Sequence, residues 1–151
     1  CEFVFFLNPK VAAGTLFQLD SGIVLLKRAI EPGYGKWVFP GGFVDRGETV
    51  IEAAVRETRE EASVLVEVRE LVDVFSHSGS PIVVVVYAAE VVEGEPRAAD
   101  ESLELRAFPP DEIPWEELAF PSTRDALRAY ARRFFCPRTE PRRTGRGREM
   151  R

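Results

Sequence analysis

The chain has 151 residues, of which 45% are apolar and 30% charged, with 20 basic and 25 acidic side chains and a net charge of −5. That length holds one packed domain, and the balance excludes a disordered chain, a collagen-like fibre and a disulfide-stapled miniature. From Pro137 onward six Arg face two Glu, a net of +4, so residues 1–136 carry the remaining −9; such a body is a poor partner for nucleic acid but suits divalent cations wherever carboxylates converge.

The opening residues, CEFVFFLNPK, lack the basic flank and small-residue cleavage site of a signal peptide. No apolar run approaches the roughly 20 residues that span a bilayer. Cys1 and Cys136 do not make a disulfide framework. The expectation is therefore a cytoplasmic protein with no membrane partner. Residues 11–19 and 23–30 are apolar runs separated by Asp20-Ser21-Gly22, the pattern of a hairpin. Six glycines and prolines, from Gly33 to Gly47, then mark a loop. Residues 49–62 contain neither Gly nor Pro and are rich in Ala, Glu and Arg, which predicts a helix with Thr49 as N-cap. Residues 64–75 and 82–92 read as long strands, with Val83 to Val86 buried on both faces, and residues 103–108 as a short one ended by Pro109-Pro110. Residues 122–135 carry Ala126, Leu127, Tyr130, Ala131 and Phe134 at helical spacing. The remainder, CPRTEPRRTGRGREMR, has no periodicity and is expected to be disordered. Strands interrupted by two helices predict an α/β layer fold with a mixed sheet.

The first helix carries the chemistry. On a wheel of 100° per residue, Val50, Ala53 and Ala54 share a stripe with Glu57 and Glu61. Ile51, Val55, Thr58 and Ala62 form an adjoining apolar face. Glu52, Arg56 and Arg59 lie opposite, with Glu60 at the border. Carboxylates on an inward stripe are costly unless paired or bound to metal. Glu57, Glu60 and Glu61 can converge on one point, where Mg²⁺ or Mn²⁺ would hold them together. The alternative is a solvated helix laced with i,i+4 pairs such as Glu52–Arg56 and Arg56–Glu60.

The run Gly42-x5-Glu48-x7-Arg56-Glu57-Thr58-x-Glu60-Glu61-x-Ser63-Val64 resembles the signature of the Nudix hydrolases. Thr58 stands where that box has an aliphatic residue, and Ser63 where it has the glycine that leaves the helix in left-handed geometry. The resemblance implies a Nudix-type α/β/α sandwich, a single domain of residues 10–136, preceded by an entering segment of residues 1–9 and followed by an Arg-rich tail of residues 137–151. It implies a Mg²⁺-dependent enzyme, Mn²⁺ being the substitute, that cleaves a nucleoside diphosphate linked to another moiety. By the same resemblance Glu57, Glu60, Glu61 and the Gly41 carbonyl are metal ligands, with a glutamate acting as base in some members. Arg56 orients them, partly through Glu48; the plainer role for Glu48 is to support the loop.

Asn8-Pro9-Lys10, Trp37-x-Phe39-Pro40-Gly41-Gly42 and residues 101–123 extend the likeness towards the ADP-ribose and FAD pyrophosphatases. Relatives sharing Asn-Pro-Lys often carry a zinc ribbon of two C-x-x-C pairs just before it. Cys1 stands where its last cysteine would be, as the remnant of a lost ribbon or as a free terminal thiol; alone it holds no zinc. Pro81 and Phe43 are the candidate substrate contacts, with a turn proline and a core aromatic as the plainer roles. Trp37, Phe5 and Phe6 are further aromatics for stacking or packing. Glu101 is a candidate extra ligand and Glu104 a candidate base, or both are solvated loop acids. His77 is expected to be a hydrogen-bonding loop residue. The substrate expectation is a small nucleotide diphosphate, ADP-ribose or FAD, with oxidised-nucleotide sanitation and nucleotide sensing as alternatives. A homodimer is a common assembly in the family.

Overall fold

The computed structural model describes residues 3–135. Cys1, on which the zinc-ribbon expectation turns, and the Arg-rich tail lie outside them. In chain order the elements are β1 (Lys10–Leu16), β2 (Gln18–Leu19), β3 (Gly22–Arg28), β4 (Trp37–Val38), β5 (Gly41–Phe43), α1 (Val50–Ala62), β6 (Leu65–Ser76), β7 (Ile82–Glu93), β8 (Ser102–Phe108) and α2 (Pro121–Phe134).

One sheet runs β5-β1-β7-β6 and is mixed: β1 lies parallel to β7, while β5–β1 and β7–β6 are antiparallel. The second is antiparallel, with β3 flanked by β8 on one edge and by β2 and β4 on the other. Alternation along each strand decides which layer a residue serves. Ala13 packs against Ala53 and Ala54 of α1, and Leu16, three residues on and so on the other face, enters the cluster that holds Ala126, Leu127 and Tyr130 of α2. On β7, Val86 and Ala88 face α2 while Tyr87 and Ala89 join the clusters packed under α1. The two helices thus cover opposite faces, the expected sandwich.

The expected hairpin over residues 11–30 is mostly absent. Only β2 pairs with β3 across the Asp20-Ser21 turn, whose φ values of 49° and 68° fit a two-residue hairpin connection. β1 instead leaves for the other sheet, where its full length pairs with β7. The glycine-rich stretch is not all loop, because β4 and β5 lie within it. Gly14 and Gly41 sit opposite each other there. A Cβ on Gly41 would lie 2.7 Å from the Ala13 carbonyl oxygen and 2.8 Å from the Gly14 Cα, so only glycine lets these backbones meet. Val83, Val84 and Val85 are half-buried and only Val86 is closed from solvent; a cavity opens beside Val84.

α1 starts where expected. Thr49 caps it through a reciprocal box: the Glu52 amide donates to Thr49 Oγ1 at 3.2 Å and the Thr49 amide to Glu52 Oε2 at 2.7 Å. Glu52 is therefore occupied at the cap and does not pair with Arg56. Ser63 ends the helix with φ 60° and ψ 26°, taking the left-handed geometry that the family's glycine would take. Ile51 is 47% exposed, so the second apolar face of the helix is narrower than its spacing predicts.

Thr58 is fully buried and has a reason to be threonine. Its hydroxyl donates to the Ala54 carbonyl at 2.7 Å and meets Thr15 Oγ1 at 2.7 Å, pinning α1 to β1. With the Thr58 proton committed to Ala54, Thr15 is the donor in that pair.

Candidate active site

The site forms where α1 crosses β5. Arg56 is its hub and is drawn inward rather than left on the water face. Its Nη2 and Nε donate to Glu48 at 2.6 and 3.1 Å, a bidentate pair. Nη1 donates to Glu57 Oε1 at 2.8 Å and to Glu60 Oε2 at 3.3 Å, and Nη2 reaches the Phe43 carbonyl at 3.1 Å. Asp45 adds a further carboxylate at 3.6 Å. The i,i+4 pair Arg56–Glu60 of the plainer reading is thus present, but as one arm of a cluster that joins loop, strand and helix.

The glycines let Glu57 and Glu61 reach the strand. A Cβ on Gly42 would sit 2.4 Å from the Glu57 carboxyl carbon, so that carboxylate rests in the space a side chain would fill. The Gly41 amide donates to Glu61 Oε2 at 2.9 Å. Burial dominates both acids. It raises the Glu57 carboxyl above its usual range, opposed by Arg56. Glu61 is pushed up to about 7, by burial first and by the nearby charges of Glu57 and Glu101, against the Gly41 amide and Arg28. Glu48 moves the other way, held down to about 2 by the Arg56 hydrogen bonds and the Asp45 amide. Arg56 is raised further above its usual range, chiefly by Glu48.

Oxygen donors of this kind, crowded and partly desolvated, suit a hard divalent cation. Among the described residues no three acidic, His or Cys side chains already converge closely enough to hold one. Glu57 and Glu60 are held by Arg56 and Glu61 by the Gly41 amide, so the donors are right in kind but each is engaged by the protein. Glu57, Glu60 and Glu61 could hold an ion with the Gly41 carbonyl as neighbour.

Beside this cluster lies a cavity of about 320 Å³. Gly41, Gly42 and Phe43 form the wall it shares with the acidic cluster. Val84 and Ile82 form its floor, and Arg28 and residues 120–123 close it. Phe43, 46% exposed, lines the cavity. Pro81 is not among the lining residues; its neighbours Ser80 and Ile82 are, and its carbonyl accepts from the Lys10 amide at 2.8 Å. Trp37 is core, edge-on to Phe108 at 4.8 Å, and Phe5 and Phe6 are exposed in the entering segment. His77 lines the cavity, with Nε2 2.8 Å from Asp125 Oδ2, consistent with a hydrogen-bonding loop residue.

The two late-loop acids separate. Glu101 contributes to the field at Glu61. Glu104 faces Lys27 across β3–β8 and its carboxylate is held by Arg106, so nothing in the structure brings it to the cluster. Sequence reasoning missed Arg28, Asp45 and the Phe120–Thr123 wall. Phe-Pro-Ser-Thr signals a helix start, but no periodicity says that this start faces the glycine strand.

The comparisons agree with this geometry. The family model described as "NUDIX domain" matches residues 8–130. An ADP-ribose pyrophosphatase of Methanocaldococcus jannaschii is 36% identical over 119 residues, covering 76% of this chain and 69% of the relative. Among solved structures, a NUDIX hydrolase from Nitrosomonas europaea superposes with a TM-score of 0.82 at 38% identity, covering 89% of this chain and 77% of that one. A MutT NUDIX hydrolase from Burkholderia pseudomallei gives 0.73 at 34% identity, covering 81% and 98%. The chain belongs to the Nudix hydrolase family, enzymes that act on phosphate anhydrides and generally use divalent metal ions. Among the described residues no helix is long and apolar enough to cross a membrane.

Proposed function

We propose that the protein is a Mg²⁺-dependent diphosphatase that splits a nucleoside diphosphate linked to another moiety, ADP-ribose or FAD, into two phosphate monoesters. The observation that carries this reading is the shared wall. Gly41 and Gly42 touch Glu61 and Glu57 on one side and line the cavity on the other, so a nucleotide seated in the cavity has its phosphates at the carboxylates. The M. jannaschii relative, an ADP-ribose pyrophosphatase, supports the substrate class.

In this reading Glu57, Glu60, Glu61 and the Gly41 carbonyl hold the metal. A bound divalent ion neutralises diphosphate charge and makes water nucleophilic near neutral pH. The chain's own residues do the rest. Glu48 fixes Arg56 in a bidentate grip, and Arg56 sets the rotamers of Glu57 and Glu60. Glu61, whose carboxyl is pushed up to about 7 in the metal-free fold, gives up its proton on becoming a ligand. Phe43 supplies an exposed aromatic ring to the cavity lining, with Lys10 Nζ 5.2 Å from its centroid.

The test is phosphate-coupled hydrolysis of ADP-ribose, FAD, NADH, dGTP and oxidised dGTP with Mg²⁺, Mn²⁺ or EDTA, beside Glu57→Gln and Glu61→Gln. Metal-dependent turnover of ADP-ribose or FAD, lost in both variants, is expected. Turnover of triphosphates alone would overturn the substrate class. Nucleotide binding without any turnover would overturn the enzymatic reading.

A further inference from the structure

α1 ends at Ala62, and the last four carbonyls of a helix have no partner within it. Ser63 serves one of them, its amide donating to the Arg59 carbonyl at 3.1 Å. Two more are served from a distant part of the chain. The Arg97 amide donates to the Ala62 carbonyl at 3.0 Å, and the Ala99 amide to the Glu61 carbonyl at 3.1 Å. Both donors belong to residues 94–101, the connection from β7 to β8, which holds neither helix nor strand. Gly94 lets this connection start close against the helix exit. Its φ is +90°, and a Cβ there would lie 2.9 Å from the Ser63 carbonyl oxygen.

A connection that merely capped α1 would need no second anchor, yet this one has it. The Ser102 amide donates to the Ala99 carbonyl at 2.9 Å and closes a turn. The Ala29 amide donates to the Glu101 carbonyl, also at 2.9 Å. Ala29 follows Arg28, which lines the cavity and sits where the β3–β8 register shifts. The connection is thus tied to α1 through Ala99 and to the end of β3 through Glu101, with only Asp100 between the ties. Those ties hold the backbone of Glu61 and the backbone of Glu101 at a fixed separation. The charges of Glu101 and Arg28 both reach the Glu61 carboxyl, so the two tied elements meet at the acidic cluster.

We infer that residues 94–101 form a strap that sets the position of Glu61 relative to Glu101, with the Ala99 amide and the close approach at Gly94 as positioning elements for metal binding. The strap works through its backbone, and the exposed side chain of Arg97 takes no part. The inference rests on the reading of Glu57, Glu60 and Glu61 as metal ligands. Groups that orient a ligand from behind change metal affinity about 10–100-fold when they are lost.

The experiment is Mn²⁺ titration of the full chain, with free Mn²⁺ counted by electron paramagnetic resonance, alongside thermal melts in EDTA. Wild type is compared with Ala99→Pro, which deletes the amide held by Glu61, and with Gly94→Ala, which keeps every donor but forces the strap off Ser63. Gly94→Ala keeps the test open if Ala99→Pro does not fold. Arg97→Ala trims only a side chain, and Val72→Ala loosens the core packed against α2, away from the strap. Both strap variants should bind Mn²⁺ about tenfold or more weakly. Arg97→Ala should match wild type, and Val72→Ala should melt lower yet keep the wild-type affinity. Unchanged affinity in the strap variants, or an equal loss in Val72→Ala, would overturn the inference while leaving the metal reading intact. A wild-type protein that binds no Mn²⁺ would remove the metal reading, and the strap's role with it.

Discussion

Glu61 offers a prediction whose size follows from its surroundings. Its carboxyl rises from 4.5 to about 7 in the metal-free fold, with burial as the largest cause. The folded state therefore binds a proton that the unfolded chain has already lost, and stability falls as pH rises from about 4.5 to about 7. At 1.36 kcal/mol per unit, the ionised carboxylate costs the metal-free protein about 3 kcal/mol above pH 7. Glu61→Gln removes the charge and keeps an oxygen to accept from the Gly41 amide. Urea unfolding of both proteins in EDTA at pH 5 and pH 8 should show near-equal stability at pH 5. At pH 8 the variant should be more stable by about 3 kcal/mol. The same linkage predicts that Mg²⁺ binding to wild type near pH 7 releases a proton, visible as a buffer-dependent heat in calorimetry. Parallel pH profiles for the two proteins would refute the reasoning, because Glu61 would then not be desolvated.

Three further predictions concern the scaffold around it. Gly42→Ala should fold with little loss of stability, since its Cβ meets only the movable end of Glu57, yet lose about 100-fold or more in kcat; Gly41→Ala meets backbone and should cost about 2 kcal/mol or more in denaturant unfolding. Arg56→Lys forfeits the two-pronged grip on Glu48 and should lower kcat/KM about 100-fold with the far-ultraviolet circular dichroism unchanged. In a double-mutant cycle, Thr58→Val strands the Thr15 hydroxyl and should cost about 1–3 kcal/mol, more than Thr15→Val, while the double variant recovers most of the loss; additivity within about 0.5 kcal/mol would show that the pair is not coupled.

Much of the box was legible in the sequence because its information is local. Thr49 three residues before Glu52 dictates the cap, and helical spacing alone puts Glu57 and Glu61 on the stripe with Ala53 and Ala54. The alternation and length of residues 65–93 likewise dictate two long strands, whatever they pair with. Partner choice was not legible. The turn at Asp20-Ser21 suits a hairpin, yet β1 pairs with β7 some 70 residues away in sequence, as in the register Ala13↔Val85. Burying Ala13 and Thr15 under α1 and Leu16 under α2 outweighs a local pairing that would cover only one face.

Tertiary structure alone also divided the roles of similar residues. Glu101 and Glu104 are both late acids, but Arg106 on the same strand holds Glu104, while Glu101 lies where its charge reaches Glu61. Arg28, Phe120 and Thr123 carry no motif and become neighbours of the glycine strand only when α2 docks across the sheet. Spacing along one helix fixes where carboxylates gather, because helical geometry is a short-range property. Which surfaces close around them depends on contacts between distant segments, and those are settled only when the whole core packs at once.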